Sequence, residues 1–195
     1  MLKVVTGAAV LTLLVASTAL AGVAYTAHNL SATNAEGEVC LPCHAPHNAA
    51  PFGFLWNHSY RPDTAYAKWE GAALGGATLS CLSCHDGQTS VDDYFGGTSR
   101  TRGPIRGDHA LGLDLTNDHP VGVEYPNSTR YAAKEVVQGG PGVVIGAKSL
   151  PLFTQNGKDQ VECATCHTPH DNSYGGFLRV PNYDSALCFG CHVSW

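Results

Sequence analysis

A chain of 195 residues with 11 Lys and Arg against 16 Asp and Glu carries a formal charge of −5, and only 14% of its residues are charged. That balance, with no basic run in the sequence, excludes nucleic acid as a partner. Its 22 glycines and 11 prolines argue against long regular elements and for much irregular backbone.

Met1 to Ala24 holds a single charge, Lys3, then an apolar run from Val4 through Leu20, then Ala19-Leu20-Ala21, the small-x-small pattern of signal peptidase cleavage. The expected leader is 1–21, which leaves 22–195 as one domain's worth of mature chain. The run is long for a signal core, and an uncleaved membrane anchor is the competing reading. Thr6, Gly7, Thr12, Ser17 and Thr18 dilute it below what a stable span shows.

The cysteines begin at Cys40-Leu41-Pro42-Cys43-His44. The same spacing recurs at Cys81-Leu82-Ser83-Cys84-His85, Cys163-Ala164-Thr165-Cys166-His167 and Cys188-Phe189-Gly190-Cys191-His192, so all eight cysteines are used. C-x-x-C-H is the spacing of c-type haem attachment: two thiols add to the porphyrin vinyls and the adjoining imidazole reaches the iron. Cys₄ zinc sites or a disulfide scaffold would explain paired cysteines but not the histidine that follows each pair. With ten histidines in the chain, finding one there four times by chance is on the order of one in 10⁵. Four motifs imply four haem c groups, with Cys40, Cys43, Cys81, Cys84, Cys163, Cys166, Cys188 and Cys191 as thioether donors. His44, His85, His167 and His192 are then the motif ligands. The hydrophobic share of 44% is inflated by the leader, so porphyrin faces are expected to supply the apolar surface that the polypeptide wraps.

Along the chain, Ala65 to Leu74 reads as a short helix with Tyr66, Trp69 and Ala73 on one side. Asp86-Gly87 after the second motif is a turn signal. The cysteine-free stretch to the third motif is broken by Pro104, Pro120, Pro126 and Pro141. Near its end, Gly142 to Gly146 and Leu150 to Phe153 are strand-like, and Asn156-Gly157 before Gln160-Val161-Glu162 predicts a small β-hairpin. Ser185-Ala186-Leu187 is expected to open a helix carrying the fourth motif. Asp92-Asp93 and the acids from Asp114 to Asp118 read as solvated loop residues rather than a calcium site.

The second axial ligand separates electron transfer from catalysis, because an iron closed on both faces passes electrons whereas an open one binds substrate. The only methionine is Met1, in the expected leader. Six histidines lie outside the motifs. His28, His47, His58, His119 and His170 are candidate iron ligands, and His109 reads as a loop residue. Four are needed, so bis-histidine ligation at low potential is expected throughout. His47 and His170, three residues beyond a motif histidine, are placed to cross to an adjacent stacked haem.

The strings His28-Asn29-Leu30-Ser31, Cys40 to Asn48, Trp56-Asn57-His58, Asp118-His119-Pro120-Val121-Gly122, Leu150-Pro151-Leu152-Phe153 and Cys163 to His170 resemble the multihaem cytochromes c of metal- and sulfur-respiring bacteria. The resemblance is nearest to the small tetrahaem cytochromes that polymerise into extracellular conductive filaments. It implies mostly irregular coil with short α-helices at the C-x-x-C-H motifs and a small hairpin, wrapped around a stacked chain of haems. It also implies a homopolymer in which one axial histidine, here His28, comes from the adjacent subunit. The role implied is electron transport to redox proteins or extracellular acceptors in anaerobic respiration, outside the cell or in the periplasm. The alternatives are a soluble periplasmic shuttle and a membrane-anchored quinol dehydrogenase. An enzyme is not expected, since the lysine-bearing variant motif of haem nitrite reductases is absent.

Overall fold

A computed structural model of the chain describes residues 22–97 and 101–194. The expected leader, 1–21, lies outside the described residues. The longest helix, α1 (Gly76–His85), carries the second motif; α2 (Cys163–Cys166) and α3 (Ala186–Cys191) carry the third and fourth. The first motif corrects the expectation of a helix at every motif. It is a turn, closed by Cys43 N–H and His44 N–H to the Cys40 carbonyl. Pro42 has no N–H to extend it, and the Cys43 carbonyl instead accepts Asn57 N–H at 3.0 Å.

Ala65 to Leu74 is likewise not a helix. A single 3₁₀ turn, Asp63–Ala65, ends at an extended Tyr66. Ala67 then spends its backbone groups on Leu113 O (2.8 Å) and Leu115 N–H (2.9 Å), and Gly71 turns the chain with φ 76°. Tyr66 is buried, whereas Trp69 is exposed and donates Nε1–H to Asp118 O at 3.2 Å. The predicted stripe is divided because tertiary pairing outcompetes a helix of low intrinsic stability.

Six strands form two three-stranded antiparallel sheets: β1 (Val123–Glu124), β2 (Glu135–Val137), β3 (Gly140–Ile145), β4 (Lys148–Pro151), β5 (Phe153–Gln155) and β6 (Lys158–Val161). Their orders are β2-β3-β4 and β1-β6-β5. The β5–β6 hairpin turns at Asn156-Gly157, with φ 52° and 75°, the double positive φ that matches strand twist. It is the predicted hairpin, set within more sheet than the sequence reading contained.

The apolar core is small and split. Tyr66, Leu74, Leu79, Leu82 and Leu115 surround α1, while Tyr125, Val143 and Leu152 lie under β3 with Cys191 packed against them. α3 sits so close to β3 that a Cβ on Gly190, inside the fourth motif, would stand 1.9 Å from Ile145 Cδ1. A side chain there would oblige Ile145 to move, a constraint of close approach rather than of backbone angle.

Candidate haem sites

Three motif histidines are held in one tautomer by the same device. Nδ1 of His44, His85 and His167 lies 2.6, 2.7 and 2.7 Å from the carbonyls of Phe54, His109 and Gly176. A carbonyl only accepts, so each Nδ1 carries the proton and each Nε2 keeps its lone pair, the state an iron ligand needs. His58 and His119 share it, with Nδ1 donating to Ser59 O (3.0 Å) and Pro120 O (3.1 Å). His109 thus contributes to the second motif through its backbone rather than its exposed ring.

The carbonyls reach these rings because the chain returns across each motif. Single antiparallel bridges join His44 to Trp56, His167 to Leu178 and His192 to Tyr131. The carbonyls of Cys43, Cys166 and Cys191 accept N–H from Asn57, Arg179 and Ala132 at 2.9–3.0 Å. Behind the first and third motifs is a repeat that the sequence reading missed. The 123 residues from Cys40 to Cys163 also separate His44 from His167, Pro46 from Pro169, His47 from His170, and Gly53-Phe54-Leu55 from Gly176-Phe177-Leu178. The return strands pair one residue out of register with this alignment. Phe54 and Leu55 both take positive φ (59° and 51°), a costly conformation for bulky side chains, where the third motif uses two glycines and Phe177.

Outside the motifs, three imidazoles meet motif histidines at nearly one separation. Ring centroids are 6.1 Å apart for His28 and His85, 6.1 Å for His170 and His44, and 6.3 Å for His119 and His192. With metal–nitrogen bonds of about 2.0 Å and a ring centroid about 1.1 Å behind its nitrogen, two imidazoles on one iron stand roughly 6.2 Å apart. The residues present therefore fit axial ligation at the first, second and fourth motifs. Burial, then His85 and His170, hold His28 below the ordinary imidazole value; burial, then His44 and Arg179, do the same to His170. Both rings are thereby kept neutral and able to ligate. Among the described residues, His167 has no such imidazole partner. His47 is exposed, and His58 is buried with Nε2 unpartnered.

The thiols connect the motifs in chain order. All eight cysteines are free, and no metal-holding group of three or more His, Cys, Asp or Glu forms among the described residues. Burial and then the neighbouring Cys43 push the Cys84 thiol up to about 12, the sulfurs of Cys81 and Cys163 interact directly, and burial followed by Cys191 pushes Cys166 up to about 11. Cys84 with Cys43, Cys81 with Cys163 and Cys166 with Cys191 are thus electrostatic neighbours. The second and third are also tied through Glu162, whose Oε1 accepts Gly75 N–H (2.9 Å) and Oε2 accepts Thr78 N–H (3.2 Å) at the start of α1. Cys163 N–H donates in return to Thr78 Oγ1 at 3.1 Å. After the second motif, buried Asp86 accepts Gln88 N–H, Thr89 N–H and Arg61 Nε–H, fixing the predicted turn.

Comparison with known proteins adds one match. Residues 156–194, which hold the third and fourth motifs, match the doubled CXXCH motif family. No curated protein matches the chain. The match covers the last two motifs, and with the recurrence of the same spacing at the first two it supports haem binding of the c-type cytochrome kind.

Proposed function

We propose that this protein is an exported electron carrier rather than an enzyme, holding four bis-histidine haems c in motif order. The observation that carries this reading is the set of three imidazole pairs at 6.1–6.3 Å within the chain, each joining one motif histidine to one histidine outside the motifs. Haem would supply one-electron chemistry; His170 with His44, His28 with His85 and His119 with His192 would hold three irons from both sides and leave no site for substrate there. The joint made by Glu162 with Gly75 N–H and Thr78 N–H, and by Cys163 N–H with Thr78 Oγ1, holds the second and third motifs side by side and supports neighbouring porphyrins there. A pyridine haemochrome assay should give four c-type groups per chain, and the native oxidised protein should be wholly low-spin. Near-parallel imidazoles (25°) at His44/His170 and near-perpendicular ones (81° and 80°) at the other two pairs should yield two kinds of low-spin EPR signal. Fewer than four haems, or a high-spin native majority, would defeat the reading.

The same reading extends to a conductive homopolymer. His28, the ring expected from the resemblance to be donated between subunits, stands against His85 of its own chain, while the iron position at His167 lacks a second imidazole. His47 occupies in the first motif the place of His170 in the third, and it is exposed. His47 of one copy supplying the His167 site of the next would satisfy both. His47→Ala should then convert one haem in four to a high-spin or water-ligated form and shift size-exclusion profiles and negative-stain images from polymer to monomer. A wild-type protein that stays monomeric at high concentration would count against the polymer and leave a soluble shuttle.

A further inference from the structure

The first and third motifs are clamped by equivalent residues of opposite electrical character. Asn57 N–H donates to the Cys43 carbonyl and Asn57 Nδ2–H to Leu41 O at 2.6 Å; Arg179 N–H donates to the Cys166 carbonyl and Arg179 Nε–H to Ala164 O at 2.7 Å. Leu41 and Ala164 are the same position of C-x-x-C-H. The clamp needs one donor, and an amide provides it at the first motif. At the third, the same bond is made by a half-buried guanidinium, which keeps its charge under all ordinary conditions.

From this pair of clamps we infer that Arg179 is a potential-setting residue, raising the reduction potential of the haem carried by Cys163, Cys166 and His167. Reduction of ferric to ferrous haem adds one electron and no proton at the iron, so the site becomes more negative by one charge. A fixed cation beside the motif stabilises that product more than the reactant, and incomplete solvent screening at a half-buried site preserves much of the effect. No equivalent cation occupies the clamp of the first motif, where Asn57 stands.

The inference rests on the tetrahaem reading, and the two fail differently. Wild-type haem content, measured first, reports on that reading; the role of Arg179 is read from differences between variants. In a mediated spectroelectrochemical titration, Arg179→Asn and Arg179→Gln keep a donor for Ala164 O but remove the charge. Each should lower the reduction equilibrium constant of one haem by about threefold to tenfold, or up to ~59 mV for a one-electron couple. Arg179→Lys keeps the charge and should hold that potential near its wild-type value while losing the guanidinium's clamp geometry. The charge assignment is overturned if the neutral variants, still low-spin with four haems, titrate like wild type. It is equally overturned if Arg179→Lys falls as far as Arg179→Gln, which would make the effect one of positioning.

Discussion

Replacing Glu162 by Ala is expected to cost about 3–5 kcal/mol of stability, since the carboxylate's hydrogen bonds to Gly75 N–H, Thr78 N–H and the Thr165 backbone are lost and their donors stay behind in a dry site. Glu162 is 1% exposed. Burial pushes its carboxyl above the usual range, against the opposing pull of the Thr78 hydroxyl and the Gly75 and Thr78 amides. The carboxylate serves as the N-terminal cap of α1, a role that Gly75 has no side chain to fill. It is also one half of a capping box on α2, whose other half is Glu162 N–H to Thr165 Oγ1 at 3.0 Å. The variant therefore loosens both helices and the joint between the second and third motifs. Gly75 is bound into the same arrangement, since a Cβ there would stand 2.6 Å from Glu162 Oε1. Glu162→Gln retains one acceptor oxygen and should lose less. Denaturant unfolding followed by Soret circular dichroism, with haem content measured in parallel, checks this. An alanine variant that unfolds at the wild-type midpoint would show that the two helices are held together by something else.

What was legible in the sequence was what covalent and local geometry demand of adjacent residues. Two thiols and an imidazole must serve one porphyrin, so C-x-x-C-H is contiguous and all four motifs could be read. Asn156-Gly157 was readable because two successive positive φ angles are a local requirement. The role of Glu162 was not, because it depends on amides at Gly75 and Thr78, more than eighty residues away. Nor was the failure of the Ala65 to Leu74 helix, which follows from Ala67 finding backbone partners at Leu113 and Leu115. Which outer histidine meets which motif is also a tertiary fact: His28 lies nearer in sequence to His44 than to His85, yet meets His85. The repeat joining the first and third motifs was present to be seen. Its one-residue slip in pairing was not, since that depends on Phe54 and Leu55 both entering the left-handed region.

Replacing His119 by Met should raise the potential of the haem at the fourth motif by on the order of 0.1 V, within the ~0.8 V that axial ligands span. A thioether stabilises ferrous iron more than an imidazole does, and Met/His ligation accompanies higher potential. The site is suited to the test. His119 Nδ1–H is held by Pro120 O, its ring centroid is 6.3 Å from that of His192, and the residue is exposed, so substitution disturbs no core. No other methionine outside the expected leader can complicate the spectrum. A methionine–iron charge-transfer band should appear for one haem, while the other three keep bis-imidazole spectra. His119→Ala should instead leave that iron open on one face and make the reduced protein bind one carbon monoxide per chain, a reaction the wild type should lack. If His119→Met leaves every potential and band in place and His119→Ala binds no carbon monoxide, His119 is not an iron ligand and the 6.3 Å pair is packing. Carbon monoxide binding by the native protein would be more damaging still, because an iron already open to a ligand is a place where chemistry starts, and the protein would have to be treated as a catalyst.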